Sequence, residues 1–252
     1  MIRKKTENSY LDVCELLQKQ VESQPDALAV FDEKNPLTFR ELVGWSKCVG
    51  QLVSAQGIRT KVLINIQQGG MAYAAMFGTL MAGGIYAPVN VDALQVRNQL
   101  IFNAFLPDII LTDSDIMTET KSLPEQTQVV KINNLQPVYT PLSIVKGKIA
   151  YVIFTSGSTG TPKGVVISRD SLNHYINWSM NVLSMKPGDR CSQHPNIAFD
   201  LSVIDIYTSI CSGATLYPIF KPIHRLMPAR AVLDYKLTTW ISVPSVIDLM
   251  IK

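Results

Sequence analysis

The sequence predicts an α/β protein in which mostly parallel sheets are flanked by helices. Short runs of branched apolar residues, each of strand length, alternate along the chain with amphipathic stretches of about a dozen residues. The chain has 252 residues, of which 47% are hydrophobic, so it can bury a sizeable core. Strands joined by helical crossovers pair in parallel, which is why this alternation predicts parallel sheets.

The helices are predicted from apolar periodicity and from capping signals. The second helix has the sharpest beginning, because Thr38 is followed three residues later by Glu41 in the pattern of a capping box, and its apolar stripe continues to Gly57. Helices are expected at residues 11–21, 39–56, 72–81, 94–105, 171–183 and 201–211, with a last one after residue 243.

The strands are predicted from short apolar runs that end at turn residues. They are expected at residues 27–31, 62–66, 85–89, 109–111, 129–132, 149–154, 215–218 and 239–243. Residues 112–142 are polar and rich in turn residues, apart from the one strand. We expect this stretch to connect two approximate lobes, residues 1–142 and 143–252, of one incomplete domain.

Composition excludes several classes of function. The formal charge of +3 comes from 23 basic and 20 acidic side chains without long runs of either sign, so a nucleic-acid groove is not expected. The four cysteines and three histidines are too dispersed for a metal site or a disulfide framework. Residues 71–89 are apolar, but Gly83, Gly84 and Pro88 favour a buried helix and strand over a membrane span. No secretory signal is recognised, and a cytoplasmic location is expected.

A loop of glycines, hydroxyls and one lysine follows the strand at 149–154. It reads Thr155-Ser-Gly-Ser-Thr-Gly-Thr-Pro-Lys-Gly164. Glycines let backbone N–H groups approach an anion, and the hydroxyls and the lysine add donors, so the composition suits a polyphosphate. It is not a Walker loop, because Pro162 directly precedes Lys163. Composition alone leaves a ligand-free surface turn as an equal alternative.

Taken whole, residues 155–164 resemble the phosphate-loop signature of the adenylate-forming (AMP-binding) superfamily. Residues 37–42 and 80–89 resemble two earlier motifs of the same superfamily, in the same order. The resemblance implies the fold of the large amino-terminal domain of these enzymes, with the loop closing over the β- and γ-phosphates of ATP. The loop residues to which it assigns this role are Thr155, Ser156, Gly157, Ser158, Thr159, Gly160 and Lys163.

Asp200 begins a predicted helix between apolar neighbours, where it could be only a helix N-cap. Residues 199–216, however, resemble the core motif of amino-acid-activating members, in which this aspartate pairs with the α-ammonium of the substrate. The resemblance is strongest to D-alanyl carrier protein ligases, followed by the adenylation domains of nonribosomal peptide synthetases. It implies a pocket that excludes acids without an amine.

The resemblance also assigns other residues to the amino-acid pocket. Besides Asp200 these are Leu201, Ile204, Ser242 and His194, although His194 could equally be an ordinary surface histidine. Leu201 and Ile204 favour a small or aliphatic substrate. Two more acidic residues, Asp205 and Asp248, are interpreted as lying on solvated helix faces.

The implied reaction joins an amino acid to ATP, giving an aminoacyl-adenylate and pyrophosphate, and then transfers the aminoacyl group to the phosphopantetheine thiol of a carrier protein. Enzymes accelerate such reactions by orienting the reactants and neutralising charge, so no catalytic nucleophile is assigned within the chain. The resemblance places the main Mg²⁺ contact, the adenine and ribose contacts and a small carboxy-terminal domain outside these residues, so the chain is expected to be inactive alone. Two alternatives remain: an acyl-CoA synthetase fragment, and a noncatalytic binding module with an adenylation-like fold.

Overall fold

A computed structural model describes residues 10–33, 35–114, 126–156 and 161–251. Within these residues ten strands form two sheets. The strands are β1 (Leu28–Val30), β2 (Leu37–Thr38), β3 (Lys61–Asn65), β4 (Ile85–Pro88), β5 (Ile109–Thr112), β6 (Gln128–Lys131), β7 (Ile149–Ser156), β8 (Pro162–Ser168), β9 (Arg190–Gln193) and β10 (Thr215–Pro218).

The helices are α1 (Val13–Ser23), α2 (Phe39–Ser54), α3 (Gly70–Met81), α4 (Gln95–Phe105), α5 (Arg169–Leu183), α6 (Leu201–Val203), α7 (Ser209–Cys211), α8 (Pro222–Leu226), α9 (Pro228–Tyr235) and α10 (Pro244–Ile251). A π-helical turn, Ile204–Thr208, joins α6 to α7, and a short 3₁₀ helix covers Ile132–Asn134. The predicted capping box is confirmed, because Thr38 Oγ1 accepts from the Glu41 backbone N–H and the Glu41 carboxylate accepts from that of Thr38.

Both sheets are mostly parallel, as predicted. The larger sheet has the order β6-β5-β3-β4-β7-β8, and the smaller has the order β2-β1-β10-β9. Among the described strands only the β1–β2 and β7–β8 pairs are antiparallel. The carboxyl ends of the parallel strands within each sheet therefore meet at one edge, where α/β proteins place their ligands.

The predicted division at residue 142 does not separate the sheets. The larger sheet joins β7 and β8 to strands from the first half of the chain, and the smaller sheet pairs β1 with β10. The strand β8 was not predicted. It returns antiparallel to β7 after the glycine-rich loop, so that the two strands form a hairpin that carries this loop.

The core includes the apolar helix α3, in which all residues except Met71 are buried. This helix packs on α2 so closely at Gly78 that a Cβ atom there would collide with the backbone carbonyl of Ser46. The prediction that residues 71–89 form a buried helix followed by a strand is thus confirmed. No described helix combines the length and apolar character that a membrane crossing requires.

A buried ion pair ties the first helix to α5. Arg169 donates from Nε and Nη2 to the two carboxylate oxygens of Asp12, at 2.7 and 2.6 Å, and from Nη1 to the Leu80 carbonyl at 2.6 Å. The Asp12 carboxylate also accepts from the Cys14 backbone N–H and from the Asn173 side chain. Both charged side chains are almost fully buried.

Two predictions from the second half of the chain were wrong. The strand at 239–243 is reduced to a single parallel bridge between Thr239 and Cys191, because the following residues leave the sheet before Pro244 begins α10. Asp205 does not lie on a solvated face. It is completely buried, since the π-helical turn that contains it packs against β9 and α5, whereas Asp248 is exposed as predicted.

Candidate functional site

The main candidate site is a cavity of about 560 Å³ beyond the carboxyl ends of β4 and β9. Four of the five predicted pocket residues line it: His194, Asp200, Leu201 and Ser242. The fifth, Ile204, is half-buried one helical turn after Asp200 and does not line this cavity. The other lining residues are Asn90, Asp92, Pro195, Asn196, Phe199, Arg225, Val243 and Val246.

Asp200 stands at the start of α6 with its side chain exposed. Its backbone is already helical and its carboxylate makes no capping hydrogen bond. The N-cap alternative therefore does not account for this residue. The carboxylate instead borders two cavities, so its charge is available to a cationic group placed in either of them.

The second cavity, of about 390 Å³, lies on the other side of Phe199 and Asp200. It includes Thr155 and Ser156, the first two residues of the predicted phosphate loop. Its other lining residues are Arg97, Tyr151, Ile153, Phe154, Val165, Ile167 and Ala198. The fold thus places the beginning of the predicted phosphate loop and the predicted ammonium-binding carboxylate around one cavity.

The rest of the predicted loop is described only in part. Lys163 lies on β8 directly opposite Thr155, is exposed, and accepts a hydrogen bond at its carbonyl from Thr155 Oγ1 at 3.4 Å. Gly157, Ser158, Thr159 and Gly160 lie outside the described residues. The hydroxyls of Thr155 and Ser156 and the ammonium of Lys163 are the groups of this hairpin that could bind a phosphate.

Charged and aromatic groups set the electrostatics of the larger cavity. Burial, assisted by the positive charge of Arg225, lowers the pKa of His194, which favours the neutral imidazole. The His194 ring also packs 5.3 Å from the Trp240 ring, measured between centroids. Arg225 is 3.6 Å from the Asp92 carboxylate, so the charges of these two residues largely offset each other.

The segment 194–200, which we call the 194–200 loop, contributes lining residues to both cavities. Its entry is fixed by Gln193, whose Oε1 accepts from the buried Tyr73 hydroxyl at 2.8 Å and whose Nε2 donates to the Pro195 carbonyl. Asn196 donates to the Asn90 side chain at 3.0 Å and accepts from the backbone N–H of Ala198. The loop is therefore held on both sheets by polar contacts.

Several lining residues were not predicted from the sequence. Asn90 follows a correctly predicted strand directly, so the rule that ligands lie at the carboxyl ends of parallel strands could have found it. Arg225 and Val246 lie on short helices, α8 and α10, whose packing the sequence pattern does not reveal. Within the described residues no cluster of three or more histidine, cysteine or acidic side chains could hold a metal ion.

Comparison with known proteins identifies what this arrangement resembles. The sequence model of a family described as "AMP-binding enzyme" matches residues 17–252. An anguibactin system regulator from Vibrio anguillarum is 33% identical over 246 residues, which are 92% of this chain and 23% of that protein. A D-alanine–D-alanyl carrier protein ligase from Staphylococcus epidermidis is 28% identical over 94% of this chain and 49% of its own length.

The fold has solved counterparts. The nonribosomal peptide synthetase FmoA3, in an AMPPNP-bound form, matches with a TM-score of 0.85 and 29% identity over 96% of this chain and 26% of its own. The chain thus spans about a quarter to a half of the length of these three proteins. Its two sheets and flanking helices correspond to the large amino-terminal part of an adenylation domain, as predicted.

Proposed function

Since the chain belongs to the AMP-binding enzyme family, we propose that it contributes to an adenylation domain that activates an amino acid with ATP. The products are an aminoacyl-adenylate and pyrophosphate, and the aminoacyl group then passes to the phosphopantetheine thiol of a carrier protein. The observation that carries the proposal is the exposed carboxylate of Asp200. It makes no capping hydrogen bond, and it lies between the larger cavity and the start of the predicted phosphate loop.

In this proposal Asp200 binds the α-ammonium of the amino acid in the larger cavity. An acid without an amine would leave this carboxylate unpaired once the ligand displaced water, which selects against fatty acids. Leu201, Val243 and Val246 supply apolar lining, which supports the predicted small or aliphatic side chain. Ile204, which does not line the cavity, gives no such support.

The hairpin of β7 and β8 acts on the nucleotide. Thr155, Ser156 and Lys163, together with the loop between them, would donate to the β- and γ-phosphates and orient the α-phosphate toward the substrate carboxylate. Mg²⁺ bound with ATP would neutralise phosphate charge, and we place its main protein contact outside residues 1–252. Because the adenine and ribose contacts are also expected elsewhere, we propose that this chain alone binds ATP weakly and does not turn over.

The names of these relatives support amino-acid activation as the class of reaction. One is a ligase for D-alanine and a carrier protein, and another is a nonribosomal peptide synthetase. The first relative is named a regulator, so a noncatalytic role is an outcome that the experiment must be able to reveal.

The test is amino-acid-dependent exchange of labelled pyrophosphate into ATP by the complete gene product, with a panel that includes D-alanine and fatty acids. Asp200→Ala should lower kcat/KM for the active amino acid by about a hundredfold or more, as expected for a lost charge pair. Asp248→Ala, which removes an exposed carboxylate from α10, is the matched control and should have no effect.

Three results would contradict parts of the proposal. Activity with a fatty acid and none with amino acids would support an acyl-CoA synthetase. The absence of pyrophosphate exchange with every acid in the panel would support the noncatalytic module. Saturable adenylate formation by residues 1–252 alone would show that the chain is not an inactive part.

A further inference from the structure

The smaller cavity is lined by an arginine that has no partner within the described residues. Arg97, in the first turn of α4, is half-buried, and its guanidinium makes neither an ion pair nor a hydrogen bond with any described residue. Asp200 lines the same cavity but does not pair with it. An arginine keeps its charge at all ordinary pH values, so an unpaired cation faces this cavity.

The backbone that carries Arg97 is held in place. The next residue, Asn98, is 8% exposed, and its Nδ2 donates to the Asn90 carbonyl at 2.9 Å. Asn90 lies just after β4, so this bond ties the first turn of α4 to the carboxyl end of that strand, where parallel sheets bind their ligands. Arg97 thus lines the cavity from a fixed position on a helix.

Within the described residues nothing balances the charge of Arg97. The first turn of a helix disfavours a cation, because the helix dipole is positive at that end. The first turn of α4 contains no acidic residue, and Leu94 provides no side-chain cap. Partial burial of an unpaired charge adds a further cost. An anion in the cavity would pair with the guanidinium and offset both costs.

The other polar groups of the cavity indicate which anion this is. Thr155 and Ser156, the first residues of the predicted phosphate loop, line the cavity together with Arg97 and are exposed. Two hydroxyl donors and a guanidinium therefore surround one space. A guanidinium binds phosphate through two parallel hydrogen bonds, which makes arginine a frequent phosphate ligand.

We propose that Arg97 binds phosphate oxygens of ATP in the smaller cavity, beside the hydroxyls of Thr155 and Ser156. The inference rests on the proposed function and adds to it a substrate-binding residue outside the phosphate loop. Because Asp200 is assigned the ammonium of the amino acid, the loss of Arg97 should weaken nucleotide binding and leave amino-acid binding nearly unchanged.

Three variants separate phosphate binding from a structural role. Arg97→Gln removes the charge and keeps a polar side chain, and Arg97→Lys keeps the charge without the planar guanidinium. Arg59→Gln is the matched control, because Arg59 is exposed and lines neither cavity. Since Arg97 makes no described contact with a carboxylate, Arg97→Gln should unfold at the urea midpoint of the wild type or at a higher one.

The first measurement is steady-state pyrophosphate exchange by the complete gene product. Arg97→Gln should raise the ATP KM about tenfold or more, as expected for a lost charge-assisted hydrogen bond, while the amino-acid KM stays within about threefold. Arg97→Lys should lie between Arg97→Gln and wild type, because an ammonium binds phosphate as a point charge. Arg59→Gln should change neither constant.

The second measurement does not depend on turnover. Equilibrium dialysis of the complete gene product should show AMPPNP affinity about tenfold or more lower in Arg97→Gln than in wild type. The affinity for adenosine, which has no phosphate, should change less than about threefold. If the wild type binds AMPPNP but activates no amino acid, the proposed function fails, and the dialysis data still decide whether Arg97 binds phosphate.

Three results would overturn the inference. The first is AMPPNP affinity in Arg97→Gln equal to that of wild type. The second is a higher amino-acid KM with an unchanged ATP KM, which would assign the guanidinium to the substrate carboxylate. The third is a lower urea midpoint in Arg97→Gln with unchanged AMPPNP binding, which would show that Arg97 pairs with a carboxylate elsewhere in the protein.

Discussion

The buried ion pair between Arg169 and Asp12 provides the sharpest test of what holds this fold together. Replacing Arg169 with Met keeps much of the side-chain volume but removes two charge-assisted hydrogen bonds to Asp12 and one bond to the Leu80 carbonyl. The Asp12 carboxylate, 1% exposed, would then be a buried charge without a counterion. Breaking a buried pair in this way costs about 3–5 kcal/mol, so we expect Arg169→Met to destabilise the chain by that amount.

Most of this cost should come from the unpaired buried charge left on Asp12 rather than from the loss of its attraction to Arg169. Asp12 also caps α1, because its carboxylate accepts from the Cys14 backbone N–H. Asparagine is a good N-cap and carries no charge, so Asp12→Asn in the Arg169→Met background keeps the cap and removes the stranded charge. The double variant should therefore be more stable than Arg169→Met, with a remaining loss of about 1–3 kcal/mol that includes the unpartnered Leu80 carbonyl.

The assay is equilibrium unfolding of the chain in urea, followed by tryptophan fluorescence. Lys146→Met is the control, because Lys146 forms an ion pair with Glu15 at 2.7 Å but is 60% exposed. Exposed pairs contribute about 0–1 kcal/mol, so this variant should stay close to wild type. The reasoning is refuted if Arg169→Met costs no more than Lys146→Met, or if Asp12→Asn destabilises the Arg169→Met protein further.

Two more predictions concern stability. Burial alone would raise the pKa of Asp12, but the hydrogen bonds and charge of Arg169 outweigh it and hold that pKa below the ordinary value of 3.8. The stabilisation from this pair is therefore complete above pH 3.8 and is lost as pH falls through the lower pKa of the folded state. The urea midpoint should fall faster below about pH 4 in wild type than in the double variant, and equal falls would contradict this. Thr38→Ala removes the hydroxyl that caps α2 and should cost about 1 kcal/mol in urea unfolding, whereas Thr38→Ser should cost much less.

Local signals predicted much of the fold. The capping box at Thr38, the apolar run of α3 and the short branched strands are each dictated by a few neighbouring residues, and all are present. The strand order of the two sheets could not be predicted from these local signals, because the pairing of β1 with β10 joins residues almost 190 positions apart (Val30 with Leu216). The strand β8 was missed for a related reason: its apolar stretch follows the glycine-rich loop, and only the hairpin geometry shows that it returns along β7.

The same limit applies to the candidate site. Motif residues such as His194, Asp200 and Ser242 could be named from the sequence, and the structure brings these three around one cavity. Residues without a motif, such as Arg225 on α8, depend on how short helices pack and carried no signal. The burial of Asp12 and Arg169 was also unpredictable, since a charged residue at the start of a helix is usually a solvated cap.

Asp200 and Asp205 show how one helix can hold two carboxylates in opposite surroundings, one exposed and one buried. A regular helix places residues five positions apart about 140° from each other around the axis, so periodicity alone turns Asp205 away from the face that carries Asp200. Periodicity does not show that the side of the helix carrying Asp205 is buried, because that burial depends on the packing of the π-helical turn against β9 and α5. The Asp200 carboxylate borders two cavities and is open to a ligand, while burial raises the pKa of the Asp205 carboxyl well above its ordinary value. Of the two carboxylates, therefore, a proposed substrate ammonium could reach only that of Asp200, and the Asp200→Ala variant tests this role.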